Sequence, residues 1–180
     1  MIICGLDIST SCVGVCIKDT SKNEVYFEYF KPRGDDWIDK SKSAQKYLHE
    51  LALSYEIDTF YIEENLQAFR PGLSSAKTLM GLARFNGIFS FLITDIYGIK
   101  PEFINVNSAR KLLGIKIDRK SKKSTKEQVF DWVDSQTEEV WPTRVLKSGK
   151  RKGLEVLEDY VYDMADAFVI ARAGEINLVQ

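Results

Sequence analysis

Histidine is almost missing from this chain of 180 residues: His49 is the only one. Mechanisms that need a histidine cluster or a zinc site are disfavoured from the start. Cysteine is scarce too. Cys4, Cys12 and Cys16 are odd in number and crowd into the first sixteen residues, so no disulfide framework is implied and a reducing, cytosol-like compartment is expected. No apolar run approaches the roughly 20 residues of a membrane span. The start, Met1-Ile2-Ile3-Cys4-Gly5-Leu6-Asp7, lacks the basic segment and cleavage site of a signal peptide. Internal repeats and domain-dividing linkers are absent as well, so a single domain over residues 1–180 is expected. What is present is a globular balance, 44% hydrophobic and 28% charged, which excludes general disorder.

The formal net charge of −1 hides an asymmetry. Residues 110–152 carry 13 Lys or Arg against 6 Asp or Glu, a surplus of +7 that leaves −8 on the remainder. Basic segments lie near residues 116–126 and 144–152. Such a split suits a polyanion-facing surface on a protein that concentrates carboxylates elsewhere, and equally a solvated, mobile basic loop.

Residues 2–7, 13–18 and 24–30 read as three strands joined by short polar connections, an antiparallel meander. Helical spacing follows at 37–55, with Ala44, Tyr47, Leu48, Leu51 and Ala52 on one side. Residues 59–63 form a fourth strand. A long helix is expected over 74–97, where Leu79, Leu82, Phe85, Phe89, Leu92, Ile93 and Ile96 make one wide apolar stripe, assigned first to the domain's own core and second to a subunit interface. Residues 103–106 read as a fifth strand, followed by helices at 107–113, 125–135 and 158–173. The segment 144–152 reads as a mobile loop. The order βββ-α-β-α-β-α-α-α is an α/β sheet with three leading strands and helices on both faces.

Three acidic positions interrupt buried-looking elements. Asp7 ends the first strand, Glu63 and Glu64 end the fourth, and Asp163 and Asp166 lie three apart on one face of the last helix. With the first and fourth strands adjacent and that helix across them, the carboxylates would meet. Gathered in an apolar setting they repel and lose hydration, at a cost of several kcal/mol unless something positive compensates. No Lys or Arg adjoins Asp7, Asp163 or Asp166 in sequence, so a divalent metal is the simplest partner, and oxygen-only ligands suit Mg²⁺ or Mn²⁺. Taken singly, each position also fits a plainer role: Asp7 as a turn residue before Ser9-Thr10-Ser11, the glutamates as a solvated edge, the aspartates as a polar helix face.

Together these segments resemble the RuvC-type Holliday junction resolvases of the RNase H-like superfamily. Gly5-Leu6-Asp7-Ile8-Ser9-Thr10-Ser11-Cys12-Val13-Gly14 resembles the first motif, Tyr61-Ile62-Glu63-Glu64 the second acidic strand end, and Asp163-Met164-Ala165-Asp166-Ala167 the terminal D-x-x-D-A helix. Ser75-Ala76 through Gly87, Asn107-Ser108-Ala109-Arg110-Lys111 and Thr125-Lys126-Glu127-Gln128-Val129 fall at the places of the long helix, the following strand-to-helix step and the basic helix start. The likeness runs through nearly the whole chain.

The resemblance implies an RNase H-like fold with a mixed five-stranded sheet, and a catalytic, metal-binding tetrad of Asp7, Glu63, Asp163 and Asp166, with Glu64 as the alternative to Glu63. It implies two Mg²⁺ ions per site, about 4 Å apart and replaceable by Mn²⁺, and hydrolysis of four-way junction DNA to 5′-phosphate and 3′-hydroxyl ends. A homodimer would supply the second cut, and no membrane is involved. DNA contacts are expected from Arg119, Lys120, Lys122, Lys123 and Lys126, with Phe69 stacking on an unpaired base. The expected location is the cytoplasm of a bacterium or phage-infected cell. The chain departs from compact bacterial members in the basic segment 144–152, which looks like an insertion, and in a pI near 5.9. Rival readings are a broader branched-DNA or RNA-processing nuclease, an actin-like or sugar-kinase-like ATP-binding protein, and a non-catalytic module.

Overall fold

The computed structural model describes residues 1–64 and 76–178. Strands β1 (Ile2–Ile8), β2 (Val13–Asp19) and β3 (Glu24–Phe30) form the expected antiparallel meander. Helix α1 (Trp37–Ser54) leads to β4 (Thr59–Glu63), then α2 (Ala76–Tyr97) to β5 (Glu102–Ile104). Strands β4 and β5 run parallel to β1 on its other side, giving a mixed sheet in the order β3-β2-β1-β4-β5. Helices α3 (Val106–Leu112), α4 (Thr125–Asp134) and α5 (Tyr160–Asn177) complete the α/β fold.

Both faces of the sheet are covered, so its central strands read as continuous apolar runs instead of alternating ones. The alternation survives in which face each residue serves. Cys4, Leu6 and Ile8 of β1 and Phe60 and Ile62 of β4 pack with Leu48, Phe85 and Phe89 under α1 and α2. Ile3 of β1 and Tyr61 of β4 pack with Ala167, Phe168 and Ile170 under α5. By the two-residue period, Asp7 and Glu63 fall on the α5 face. Glu64 lies beyond the strand end.

Helix α5 comes unusually close to β1 and β2. A Cβ on Gly5 would stand 2.3 Å from the Ala167 carbonyl oxygen, and one on Gly14 would stand 2.0 Å from that of Asp163. The register sets Gly14 directly opposite Asp7. The helix backbone thus rests on the sheet backbone beside the first acid.

Two expectations change. The 144–152 segment is not a mobile loop but the tip of a hairpin, β6 (Thr143–Val145) with β7 (Glu155–Leu157). Gly149 and Gly153 adopt positive φ, and across the turn Leu146 N–H donates to the Leu154 carbonyl while its own carbonyl accepts from Gly153 N–H. The Arg144 guanidinium holds it down by donating to both Asp159 carboxylate oxygens, at 2.9 and 2.8 Å. The α2 stripe faces the core, its first assignment, and the helix carries further apolar residues outside it. Phe85, Phe89, Leu92 and Ile93 are buried, whereas Met80 and Phe91 on the far side are 65% and 68% exposed. Finally, α2 is long and apolar enough, by length and composition, to cross a membrane, although its buried face is packed against the sheet. Phe69 and the start of the helix expected at 74–97 lie outside the described residues.

Replacing Gly14 by Ala should force α5 away from β2 at Asp163. Overpacking of this kind costs about 1–3 kcal/mol, which for a chain of this size lowers Tm by about 2–4 °C per kcal/mol. Thermal denaturation of Gly14→Ala checks it, and an unchanged Tm would contradict the close approach.

Candidate active site

At the C-terminal edge of the sheet, Asp7, Glu63, Glu64 and Asp163 line one cavity of ≈ 460 Å³, together with Ser9, Ser11 and Lys126. Leu79 and Leu82 of α2 form its apolar wall. The strand period brings Asp7 and Glu63 in from below and α5 supplies the other two acids from above. Asp163 sits in the first turn of α5, where the helix dipole favours a carboxylate. Asp166, one turn on, is only 5% exposed. Four acids from three remote segments therefore share one locale.

Their electrostatics record it. Asp7 is raised well above the ordinary carboxylate range, first by burial and then by the charges of Glu63, Asp166 and Asp163. Glu63 is raised by burial and by Asp166, against the opposing pull of its hydrogen bond with Asp7. Asp166 is raised by burial despite the neighbouring Arg110. The Asp7–Glu63 pair is thus predisposed to retain a proton that exposed acids would have lost.

Cations do reach the site, from far away in sequence. Lys126 Nζ donates to Asp163 Oδ1 at 3.0 Å, and Arg110 Nη2 donates to Asp166 Oδ1 at 3.0 Å. No Lys or Arg adjoins these acids in sequence, yet the fold brings two to them, across separations of 37 and 56 residues. Burial pulls the Lys126 ammonium down, yet its hydrogen bond to Asp163 and the surrounding acids hold it above the ordinary lysine value. A capping box aims it. Ser124 and Glu127 exchange hydrogen bonds at the start of α4, fixing the first turn that carries Lys126. On the opposite side the Cys12 thiol is pushed up to about 12 by burial, then by the charge of Asp163 and a hydrogen bond to it.

The donor chemistry fits a hard divalent cation: carboxylate oxygens only, an excess of negative charge, and burial that sharpens both. Among the described residues, no group of three is arranged to hold an ion as it stands. Lys126 and Arg110 each occupy a carboxylate oxygen that a metal would otherwise use.

The other expected contacts scatter. Arg119, Lys120 and Lys122 are exposed on the α3–α4 connection. Lys123 donates to Asp131 at 2.6 Å. That connection is tied down, since the Gln128 side-chain amide donates to the carbonyls of Asp118 and Lys123. Sequence reading missed Arg110 as a site residue, and its 56-residue separation from Asp166 left no local signal. Cys12 also went unread.

No protein-family model matches the sequence, and a search of curated proteins finds no match. Solved structures do match. Thermus thermophilus RuvC in complex with a Holliday junction substrate superposes with a TM-score of 0.68 at 14% identity, covering 99% of this chain and 95% of that one. A second structure of Thermus thermophilus RuvC gives 0.62 at 14% identity over 99% and 96%. The fold is that of RuvC. The yeast mitochondrial Holliday junction resolvase matches at 0.56 and 16% identity, over 95% of this chain and 76% of that one. The RuvC fold here is thus preserved along the chain while few residues coincide.

A raised carboxylate pKa means that folding favours the protonated form. Stability from that source is complete below the ordinary carboxylate pKa near 4 and is lost as pH rises through the higher folded value. In metal-chelating buffer at pH 7–8, Asp7→Asn should therefore melt above the unaltered protein, by about 2–4 °C for each kcal/mol of repulsion relieved. The gap should close below about pH 4. Thermal scans across pH test this, and a lower Tm for the variant at pH 8 would contradict the repulsion.

Proposed function

We propose that the chain is a structure-specific DNA endonuclease that resolves four-way junctions by metal-dependent phosphodiester hydrolysis. The observation that carries this reading is the meeting of Asp7, Glu63, Asp163 and Asp166, with raised values at the first two and the last, at the strand ends of a RuvC fold. A cluster of mutually repelling, desolvated acids is hard to account for as a purely structural device.

Asp7, Glu63, Asp163 and Asp166 would hold Mg²⁺, two ions per site, with Mn²⁺ able to substitute. Bound there, the metal supplies an activated water and neutralises charge developing on the phosphate. The chain's own residues prepare for it. Asp7 and Glu63 give up the proton they share, which makes metal uptake improve as pH rises. Lys126 and Arg110 hold Asp163 and Asp166 in place against repulsion, and Lys126, more than half exposed, stands where a backbone phosphate would enter. Leu79 and Leu82 exclude water from one side. No histidine or covalent intermediate enters the reaction, and the products are 5′-phosphate and 3′-hydroxyl ends. Arg119, Lys120 and Lys122 supply further phosphate contacts.

Two symmetric cuts need two sites, so the working form is a homodimer. Exposed Met80 and Phe91 flank Gly87 on the outer side of α2, where Gly87 leaves open space. An apolar helix face of this kind favours association through close helix contact.

Incubation with a synthetic four-way junction, a fork and linear duplex tests the activity. Paired symmetric nicks are expected in the junction alone, dependent on Mg²⁺, and equal cutting of linear duplex would point to a general nuclease. Asp7→Asn should bind the junction nearly normally and cut it at least about 10³-fold more slowly, the scale on which a group acting in the transition state is lost. Phe91→Glu should shift sedimentation from dimer to monomer and convert paired cuts to none or single nicks. A variant that remains dimeric would exclude that face.

A further inference from the structure

A second cavity, of ≈ 480 Å³, opens at the outer edge of β3 against α1, and the cleavage chemistry makes no use of it. Its walls are Lys31, Arg33 and Lys46 with Tyr29, Tyr47 and Ser43. Glu50 also lines it, paired with Lys46 at 3.7 Å. Lys31 and Arg33 are different. Among the described residues neither has a carboxylate within ion-pair distance, whereas Lys123, Lys126, Arg110 and Arg144 are all matched to acids.

The cations are also held in position. Tyr29 and Tyr160 stack at 3.7 Å with an interplanar angle of 16°. The Lys31 ammonium lies over both rings, 5.4 and 5.1 Å from their centroids, where the π faces attract it without neutralising it. The Arg33 backbone N–H donates to Ser43 Oγ at 3.1 Å, anchoring that turn to α1.

The sheet register fixes where Tyr29 and Lys31 stand, at the edge where the pocket's other walls, Ser43, Lys46, Tyr47 and Glu50, come from α1 on the opposite face. Asp7 is opposite Gly14, and Gly14 is opposite Tyr29. Tyr29 is therefore two strand spacings from Asp7, about 10 Å, and on the same face. Strand β3 runs in the same direction as β1, so Lys31 leaves it at the same end of the sheet as the acids. A DNA strand covers about 10 Å within three nucleotides, at about 3.4 Å of axial rise each.

Resting on the nuclease reading above, we infer that the Lys31–Arg33 pocket binds a phosphodiester of the strand being cut, one to three nucleotides from the scissile phosphate. Unmatched charge, an open cavity and register with Asp7 all point to that ligand. The exposed edge of Tyr29 adds a platform for the adjoining sugar or base.

The test combines Lys31→Gln/Arg33→Gln with single neutral methylphosphonates placed one to three nucleotides either side of the cut. Binding is measured in EDTA, on junctions and on a single-stranded oligonucleotide, with melting curves as the folding control and Arg33→Gln alone as a milder variant. The double variant should bind about tenfold more weakly, with a salt slope shallower by about 1–2. One methylphosphonate should weaken the unaltered protein and have no further effect on the variant. Unaltered affinity in the variant, or a methylphosphonate penalty that persists in it, overturns the pocket. If junctions are bound and cut normally by the variant, the pocket fails and the nuclease reading stands. If junctions are never cut while single-strand binding still depends on Lys31 and Arg33, the nuclease reading fails and the pocket stands only as a phosphodiester site. If no nucleic acid binds, both fail.

Discussion

The architecture depends on one steric constraint, the direct seating of α5 on the backbones of β1 and β2. Gly5 and Gly14 offer no side chain, and Ala167 and Ala171 of the helix offer the smallest that still favour helix. With nothing between them, the helix sits too close to the sheet for the first two of its acids to escape the strand-end carboxylates. A leucine-lined interface would set the layers near the usual 10 Å separation and leave Asp163 and Asp166 further from Asp7. Close packing therefore carries a chemical consequence. It converts acids that are more than 150 residues apart in sequence into one electrostatic unit.

That unit is kept from flying apart by contributions that are each modest. The Asp7–Glu63 hydrogen bond needs a retained proton. Arg110 and Lys126 each engage one oxygen of one aspartate, and the Cys12 thiol meets Asp163 from the far side. None of these cancels the desolvation of Asp7, which remains the largest cause of its displacement. Local instability of this sort is tolerated where a ligand relieves it, because the same repulsion that weakens the free protein becomes affinity for a compensating charge. The surrounding core is apolar and well filled on both sides of the sheet, so the strain is confined to the strand ends.

Much of this was legible in the sequence, for physical reasons. Asp7 and Glu63 break apolar runs, and a two-residue period alone places Glu63 on the same face as Tyr61 and Glu64 off the strand. Asp163 and Asp166 follow from helical spacing in an alanine-rich stretch. The meander, the fourth strand and both helical layers follow from periodicity and turn residues. What stayed hidden was long-range or weakly patterned. Arg110 and Lys126 reach their acids across the fold, and no spacing rule encodes such a meeting. The β6–β7 hairpin has three-residue strands without apolar alternation, and its order comes from Arg144 gripping Asp159 and from two positive-φ glycines. The helical period picked out the inward stripe of α2, and Met80 and Phe91 lie outside it on the exposed side, where no pattern marked them. The Lys31 pocket depends on register across three strands, which the meander leaves unstated.

The low net charge is the feature least suited to the proposed action on DNA, and the layout of charge resolves it. At physiological ionic strength a charge is felt over about 8 Å, so the total of −1 matters less than what lines the path of the strand. Along that path the acids are gathered at one point. Glu138 and Glu139, which line a separate cavity with Asn23 and Gln136, belong to another part of the surface. The positive groups flank the acid cluster on both sides: Lys31 and Arg33 at the β3 edge, Lys126 and the exposed Arg119, Lys120 and Lys122 around α4. In the DNA-cleaving reading, this arrangement sets positive groups beside a negative centre. Phosphates are attracted to its two shoulders and repelled at its middle unless that middle carries compensating positive charge, which ties productive seating of the strand to the state of the four acids.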